Sequence, residues 1–294
     1  MRLSRTLSNQ PHTPAPQAGR PVWLFSLAVL VAFFLLYAAT AQRGVSWQDS
    51  GEFQYRVLVG DYHWHSGIAR AHPLYILLAR GFAAGFTPAS RFFAINLFSG
   101  LGMALALAFL AALVAELTRS RWRALLVVAL LGGTHMCWWM ATIAEVYTWS
   151  LACLMAEGFL VWRYVTIRQA RWLLLLFAVN GLHAAMHNAA FLNLPVHLVL
   201  LLGYLRAPGR VLSAEARGEE DGVSSETTPS GTITGAAANR WALLAGVVLA
   251  WLAGASMLVG LAIQEAWRTG RVLAALQSLL FGTGYQEQVL GLQS

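Results

Sequence analysis

The stretch VWLFSLAVLVAFFLLYAATA, residues 22–41, decides the class of fold. It carries no charged residue, and at about 1.5 Å per helical residue it reaches about 30 Å, the thickness of a bilayer's hydrocarbon core. A cleavable signal peptide is the rival interpretation. The run is long for a signal core and no clean small-residue cleavage site stands out, so a retained membrane anchor is favoured.

The composition around this stretch points the same way. Of 294 residues, 57% are hydrophobic and 11% are charged, with a mean hydropathy of +0.56, whereas soluble domains carry about 25% charged residues. An ordinary cytosolic enzyme, a disordered chain and a nucleic-acid-binding module are excluded. The two cysteines, Cys137 and Cys153, form neither a disulfide framework nor a metal-site spacing.

The apolar runs predict an all-α polytopic membrane protein with about seven transmembrane helices. The shorter run Pro73–Phe86 contains Arg80 and predicts an interfacial or re-entrant helix in the first external loop. The seven predicted spans are Val22–Ala41, Phe92–Ala115, Ala124–Ala144, Val146–Trp162, Trp172–Met186, Phe191–Leu205 and Trp241–Ile263.

Arginine positions predict the orientation. With a cytoplasmic N-terminus, 13 of the 20 basic residues, all of them arginine, lie on the cytoplasmic side, as the positive-inside rule requires. The expected organisation is a membrane module over 21–263, with an external loop at 42–91 and a disordered cytoplasmic loop at 206–240. A flexible cytoplasmic tail at 1–20 and an external amphipathic tail at 264–294 flank it.

The first external loop holds two carboxylates three residues apart, Asp49 and Glu52, around Ser50 and a glycine. Ser50 is a plausible helix N-cap, with Glu52 complementing the helix dipole in the first turn. Asp49 would then lie just before the helix at the membrane surface, where a partly desolvated carboxylate can act as a general base. The alternative is that both acids only cap a surface helix.

Histidines follow in the same loop. His63, His65 and His72 could bind a metal, or they could simply be polar loop residues. His72 precedes Pro73, which suits the first position of a helix.

Further polar residues interrupt or end the apolar runs. Glu145, beside Tyr147, ends one run and is expected either to line the same external pocket as Asp49 or to be a plain turn residue. Glu157 lies inside a span, about five residues from its cytoplasmic end, where it could snorkel to the interface or pair with Arg163.

A second group marks the break between the fifth and sixth spans. It predicts either a hydrated cavity that could meet the first loop, or a polar turn. Its members are His183, His187, Asn188 and Asn193. The chain has no nucleotide-binding or common protease motif in a fitting context.

An ordered set of motifs then carries a family resemblance. Asp-Ser-Gly-Glu-Phe (49–53), His-Pro-Leu-Tyr (72–75) and Ala-Ile-Asn-Leu-Phe-Ser (94–99) are followed by a loose Trp-to-Tyr motif (138–147) and by Gly-Leu-His (181–183). In this order they resemble the bacterial membrane family called domain of unknown function 2723. That family includes the animal transmembrane protein O-mannosyltransferases and is similar to the GT-C glycosyltransferases. The resemblance covers roughly Trp47 to Pro195.

The resemblance implies a polyprenyl-phosphate sugar donor, transfer on the extracytoplasmic face, and an inverting mechanism. Asp49 would be the base, with Glu52 as its neighbour or alternative. Arg56, Arg70, Arg80 and Arg91 are candidates for holding the leaving phosphate. The residues expected to bind substrate are Arg56, His72, Tyr75, Arg91, Glu145, Tyr147, His183 and His187. A divalent metal is possible but not required. The expected partners are the lipid-linked donor, a protein or glycan acceptor and the bilayer, in a bacterial inner membrane, without nucleic acid.

Two departures keep other functions open. The family pattern His-Pro-Pro-Gly-Tyr-Pro-Leu is shortened here to Ala-His-Pro-Leu-Tyr. The chain also ends soon after the seventh predicted span, where GT-C proteins usually continue. The alternatives are a non-catalytic lipid or solute carrier and an inactive remnant or membrane partner of a larger transferase.

Overall fold

The computed structural model describes residues 22–63, 67–206 and 232–282. The expected tail at 1–20, most of the loop at 206–240, His65 and the end of the tail at 264–294 lie outside these residues. Within them the secondary structure consists of α-helices and two 3-10 turns, without a β-strand. The helices are α1 Val22–Thr40, α2 Gln48–Val59, α3 Pro73–Ala84, α4 Arg91–Thr118, α5 Arg121–Gly132, α6 His135–Thr142, α7 Tyr147–Ile167, α8 Ala170–Met186, α9 Ala190–Arg206, α10 Thr232–Gly254, α11 Ser256–Thr269 and α12 Val272–Leu280.

Three helices are long and apolar enough to cross a membrane. They are Val22–Thr40, Pro88–Thr118 and Tyr147–Ile167, and the number rises to five if each of two bent helix pairs is one span. Several long apolar helices therefore indicate an integral membrane protein. The helices α8 and α9 have 17 residues each, about 25 Å, so the predicted count of seven is reached only if these two also cross.

Two predicted spans are wrong as continuous helices. The run 124–144 bends by 70° between α5 and α6, and the run 241–263 bends by 78° between α10 and α11. At the first bend, Thr134 follows two glycines and its hydroxyl accepts the backbone N–H of Cys137. Because a side-chain cap satisfies a new helix start, this sequence begins a second helix and does not extend the first.

Helix α4 is the centre of the bundle. It packs against α1 on one side and α7 on the other, and its buried positions are mostly alanine and glycine. A Cβ at Gly102 would lie 2.7 Å from the Trp149 ring of α7. Small residues thus let neighbouring helices approach closely, as membrane helix pairs require.

The bundle has two chemically distinct ends, about 40 Å apart along the 28 residues of α4. We call the first the α2 end: it comprises α2, α3, and the α6–α7 and α8–α9 junctions. We call the second the arginine end: it comprises residues 116–123 and 163–172. Helices α2 and α3 lie in the predicted external loop, and α3 begins at Pro73, as expected.

Candidate functional site

Helix α2, which carries Asp49 and Glu52, begins earlier in the sequence than expected. Ser50 is not the N-cap; the helix begins at Gln48 after Trp47, which puts Asp49 inside the first turn. The Ser50 hydroxyl is buried and donates to the Glu145 carboxylate at 2.9 Å. A Cβ at position 51 would meet the Ser46 carbonyl at 2.3 Å, so Gly51 permits the tight entry that starts the helix early.

A buried amide pair fixes α2 on α4. The Gln54 side chain accepts the Ser46 backbone N–H at 2.8 Å and donates to the Asn96 side chain at 2.9 Å. Asn96 in turn donates to the Gln42 carbonyl at 2.7 Å. The motif residue Asn96 therefore positions the loop that carries Asp49.

Ser99 positions Glu145 in the same way. Its hydroxyl accepts the Glu145 backbone N–H at 2.8 Å, and the Tyr75 hydroxyl lies 3.3 Å away. Tyr75 is fully buried, so this predicted substrate-binding residue acts on Glu145 through its contact with Ser99.

Two carboxylates thus meet at the α2 end although 96 positions separate them in sequence. Asp49 is exposed, whereas Glu145 is half-buried. Burial raises the pKa of Glu145, and the charge of Asp49 raises it further, against the lowering effect of the Ser50 hydrogen bond. Neighbouring carboxyl groups in unequal environments are the arrangement from which acid and base roles arise.

A pair of stacked histidines forms the other side of this end. The rings of His72 and His187 lie 5.0 Å apart with 14° between their planes, and the exposed Tyr147 ring lies 5.2 Å from His187. The His72 Nδ1–H donates to the Met186 carbonyl at 3.1 Å. His72 also contacts Phe53 of α2, with ring centroids 5.7 Å apart. The structure therefore brings the α8–α9 junction to the first loop.

Both imidazoles are neutral at physiological pH. Burial, aided by the nearby charge of His187, lowers the pKa of His72 to about 3. Burial, aided by His183, lowers the pKa of His187 to about 4. A cavity of about 10 Å³ lies against both rings and Asn188, which is room for about one water molecule.

The predicted phosphate-binding arginines lie in different environments. Arg56 is 1% exposed and donates to the carbonyls of Arg70 and Ala71, so it fastens the chain before α3. Arg70 and Arg80 are exposed, and Arg80 lies against Gly60 at the end of α2. Arg91 begins α4 and has a buried Nε without a hydrogen-bond partner.

Glu157 forms a second polar cluster inside the bundle, so it neither pairs with Arg163 nor snorkels to the interface. Arg163 pairs with Glu116 at 3.0 Å. Glu157 is 2% exposed and accepts hydrogen bonds from Asn180 at 3.2 Å and from Asn193 at 2.9 Å. His197 lies 3.6 Å from the same carboxylate.

His183 belongs to this inner cluster and not to the α2 end. Its Nδ1 lies 2.9 Å from Glu157 and its Nε2 lies 2.8 Å from the Ser150 hydroxyl. With Nδ1–H donating to the carboxylate, Nε2 accepts from Ser150, which gives a hydroxyl–imidazole–carboxylate chain. Trp251 of α10 donates to Asn180 at 3.1 Å, so the cluster joins four helices.

The sequence contained a signal for this inner cluster. Asn180 and His183 are three residues apart on α8, and Asn193 and His197 are four apart on α9. Such spacings place polar side chains on one helical face. A carboxylate inside a span must face polar partners, and these faces supply them.

The three-histidine metal hypothesis gains no support from the described part of the chain. His65 lies outside it, and His72 is engaged with the Met186 carbonyl. Within residues 22–63, 67–206 and 232–282, no three His, Cys, Asp or Glu side chains are grouped to hold a metal ion.

Comparison with known proteins gives no family. No family model, no curated protein and no solved structure matches this chain. The fold and the site define an all-helical protein with three to five candidate membrane spans and a polar site at one end of the bundle. The family resemblance rests on the ordered motifs alone.

Proposed function

We propose that this chain is a GT-C-type membrane glycosyltransferase. It transfers a sugar from a polyprenyl-phosphate donor to an acceptor hydroxyl at the α2 end, with mannose as one candidate sugar. The observation that carries the proposal is the closeness of two carboxyl groups: Asp49, exposed in the first turn of α2, and Glu145, half-buried and held by the Ser50 hydroxyl. The predicted orientation places this end outside a bacterial inner membrane.

In the proposed reaction, Asp49 accepts the proton of the acceptor hydroxyl while its oxygen attacks the anomeric carbon. The bond from that carbon to the lipid phosphate breaks, and the phosphate leaves with the electron pair from the opposite face, which inverts the centre. Glu145 holds the first turn of α2 through Ser50 and so positions Asp49. Exposed Arg70 and Arg80 are the candidates for the phosphate.

The test is transfer of labelled sugar from polyprenyl-phosphate donors in membranes containing the full chain. Asp49→Asn is expected to abolish transfer at unchanged protein level, because an amide cannot accept the proton. Glu52→Gln is the matched variant on the same helix, expected to retain transfer if Asp49 is the base. Loss only in Glu52→Gln would move the base to Glu52.

A carrier for a lipid or solute is the second candidate. The observation that favours it is the buried Glu157 cluster, because ionisable groups inside membrane helices often mark transport pathways. If no donor supports transfer and both variants are folded and identical to wild type, the transferase proposal fails. A carrier or an inactive remnant then replaces it.

A further inference from the structure

The arginine end borders a long apolar groove that the proposed reaction does not use. Helices α1 and α7 pack on either side of α4, and the groove between them has a volume of about 730 Å³. Its floor includes Ala108 and Ala112 of α4, and its α1 wall includes Leu27. The volume lies within the range of about 300–1,000 Å³ typical of small-molecule sites.

One end of the groove is lined by polar and charged side chains. Glu116 and Arg163 line it as an ion pair with a 3.0 Å contact, and Trp172 lines it beside them. The Arg163 guanidinium lies 5.0 Å from the centre of the Trp172 ring. The Arg163 side chain is 31% exposed, so the open part of its guanidinium can donate to an anionic acceptor in the groove.

The charge around this end is strongly positive. Glu116 is the only acid in residues 116–123 and 163–172. The same two segments hold six arginines, namely Arg119, Arg121, Arg123, Arg163, Arg168 and Arg171. A ligand that fits here therefore combines an apolar tail with an anionic head, and basic pockets between membrane helices are known to take anionic lipid head groups.

We infer that this groove binds one anionic phospholipid. Its acyl chain lies over Ala108 and Ala112 between α1 and α7, and a phosphate oxygen accepts from the exposed part of the Arg163 guanidinium. A zwitterionic phospholipid offers the same tail and phosphate but no net negative charge, so the excess of arginine selects against it. The inference is independent of the transferase proposal, whose site lies at the opposite end of α4.

The test uses the full chain purified in detergent, with phosphatidylglycerol and phosphatidylcholine as the probes. Native mass spectrometry measures the retained lipid, and thermal unfolding measures the stabilisation, which grows with ligand occupancy. We expect retention of one phosphatidylglycerol, with phosphatidylcholine retained at least tenfold less. Arg163→Gln should lower phosphatidylglycerol retention at least tenfold, whereas Arg123→Gln, at an exposed arginine of the same end outside the groove lining, should leave it unchanged.

A groove-filling variant separates binding in the groove from general attraction to arginine. Leu27 lines the groove and is 49% exposed, so Leu27→Trp can fill space without disturbing the buried core. Loss of phosphatidylglycerol retention in a Leu27→Trp protein that unfolds at the wild-type temperature without lipid supports the inference. Equal retention of both lipids, no retention of either, or retention unchanged in both Arg163→Gln and Leu27→Trp overturns it.

Discussion

Replacing Glu157 by glutamine tests whether the buried polar cluster holds the bundle together. The carboxylate accepts hydrogen bonds from Asn180, His183 and Asn193, and His197 is 3.6 Å from it. A glutamine of the same shape keeps one acceptor oxygen and puts an NH₂ donor in place of the other. That donor must face either Asn180 and His183 or Asn193, whose N–H groups donate to the carboxylate.

The expected cost follows from the number and kind of contacts. Hydrogen bonds between membrane helices contribute about 0.6 kcal/mol each on average, so three of them give about 2 kcal/mol. The glutamine NH₂ also faces donors, and leaving buried polar groups unsatisfied costs about 1–3 kcal/mol. Glu157→Gln should therefore lower the free energy of unfolding by about 3–5 kcal/mol.

The measurement is the unfolding free energy in detergent micelles titrated with a denaturing detergent, followed by helix content. Glu116→Gln is the matched control, because its ion pair with Arg163 is partly exposed, at 19% and 31% of the two side chains, and such pairs contribute about 0–1 kcal/mol. A double variant with His183→Asn should be non-additive by about 1 kcal/mol or more, since the two groups share a hydrogen bond.

Two outcomes would refute the reasoning. If Glu157→Gln costs no more than Glu116→Gln, the carboxylate does not hold the four helices. If the double variant with His183→Asn is additive, the contact between the two side chains does not stabilise the protein.

Two other predictions concern pH and helix spacing. The pKa values of His72 and His187 are lowered to about 3 and about 4, whereas an unfolded histidine titrates at about pH 6.5. The stability that both neutral rings contribute is therefore fully present above about pH 6.5 and is lost as the pH falls from there towards the folded-state pKa values, because the unfolded state binds protons first. His187→Phe should reduce this loss in unfolding midpoints between pH 7 and pH 4, whereas exposed His135→Phe should not; equal pH profiles would contradict the prediction. Gly181→Ala should lower the free energy of unfolding by several kcal/mol, because its Cβ would lie 2.2 Å from a backbone carbonyl of α10. Gly203→Ala is the control: its Cβ would have nothing within 4 Å, so it should be neutral or stabilising by about 0.5–1 kcal/mol. Equal effects of the two variants on the unfolding midpoint would refute the close approach of α8 and α10.

The helical class was predictable because hydropathy and length are local properties of the sequence. The apolar run at 22–41 and the proline at the start of α3 needed no knowledge of their neighbours. The bends were not predictable from hydropathy, since both sides of Thr134 are apolar. At this position the chain could continue one long helix or end it and begin a second, and the Thr134 N-cap favours the second helix.

The candidate site depends on contacts between distant residues, which a single sequence does not reveal. Ser50 and Glu145 are 95 residues apart, and the expectation that Ser50 caps its helix used only local preferences. Asn96 and Ser99 are prominent in the motif that carries the resemblance, yet they hold the backbone and side chains that present Asp49 and Glu145. A motif residue can thus be required for a site without facing a substrate.

The division between His183 and His187 shows how one backbone change separates two sites. Residues four apart share a face in a continuous helix, but α8 ends at Met186 and His187 is extended, at φ −158° and ψ 138°. Its ring therefore stacks on His72 at the α2 end, while His183 faces Glu157 inside the bundle. Because the end of α8 joins both clusters, Glu157→Gln should weaken the α2 end as well as the bundle. Loss of transfer in that variant would accompany loss of stability, whereas loss in Asp49→Asn, at an exposed carboxylate, should occur in a protein of unchanged stability.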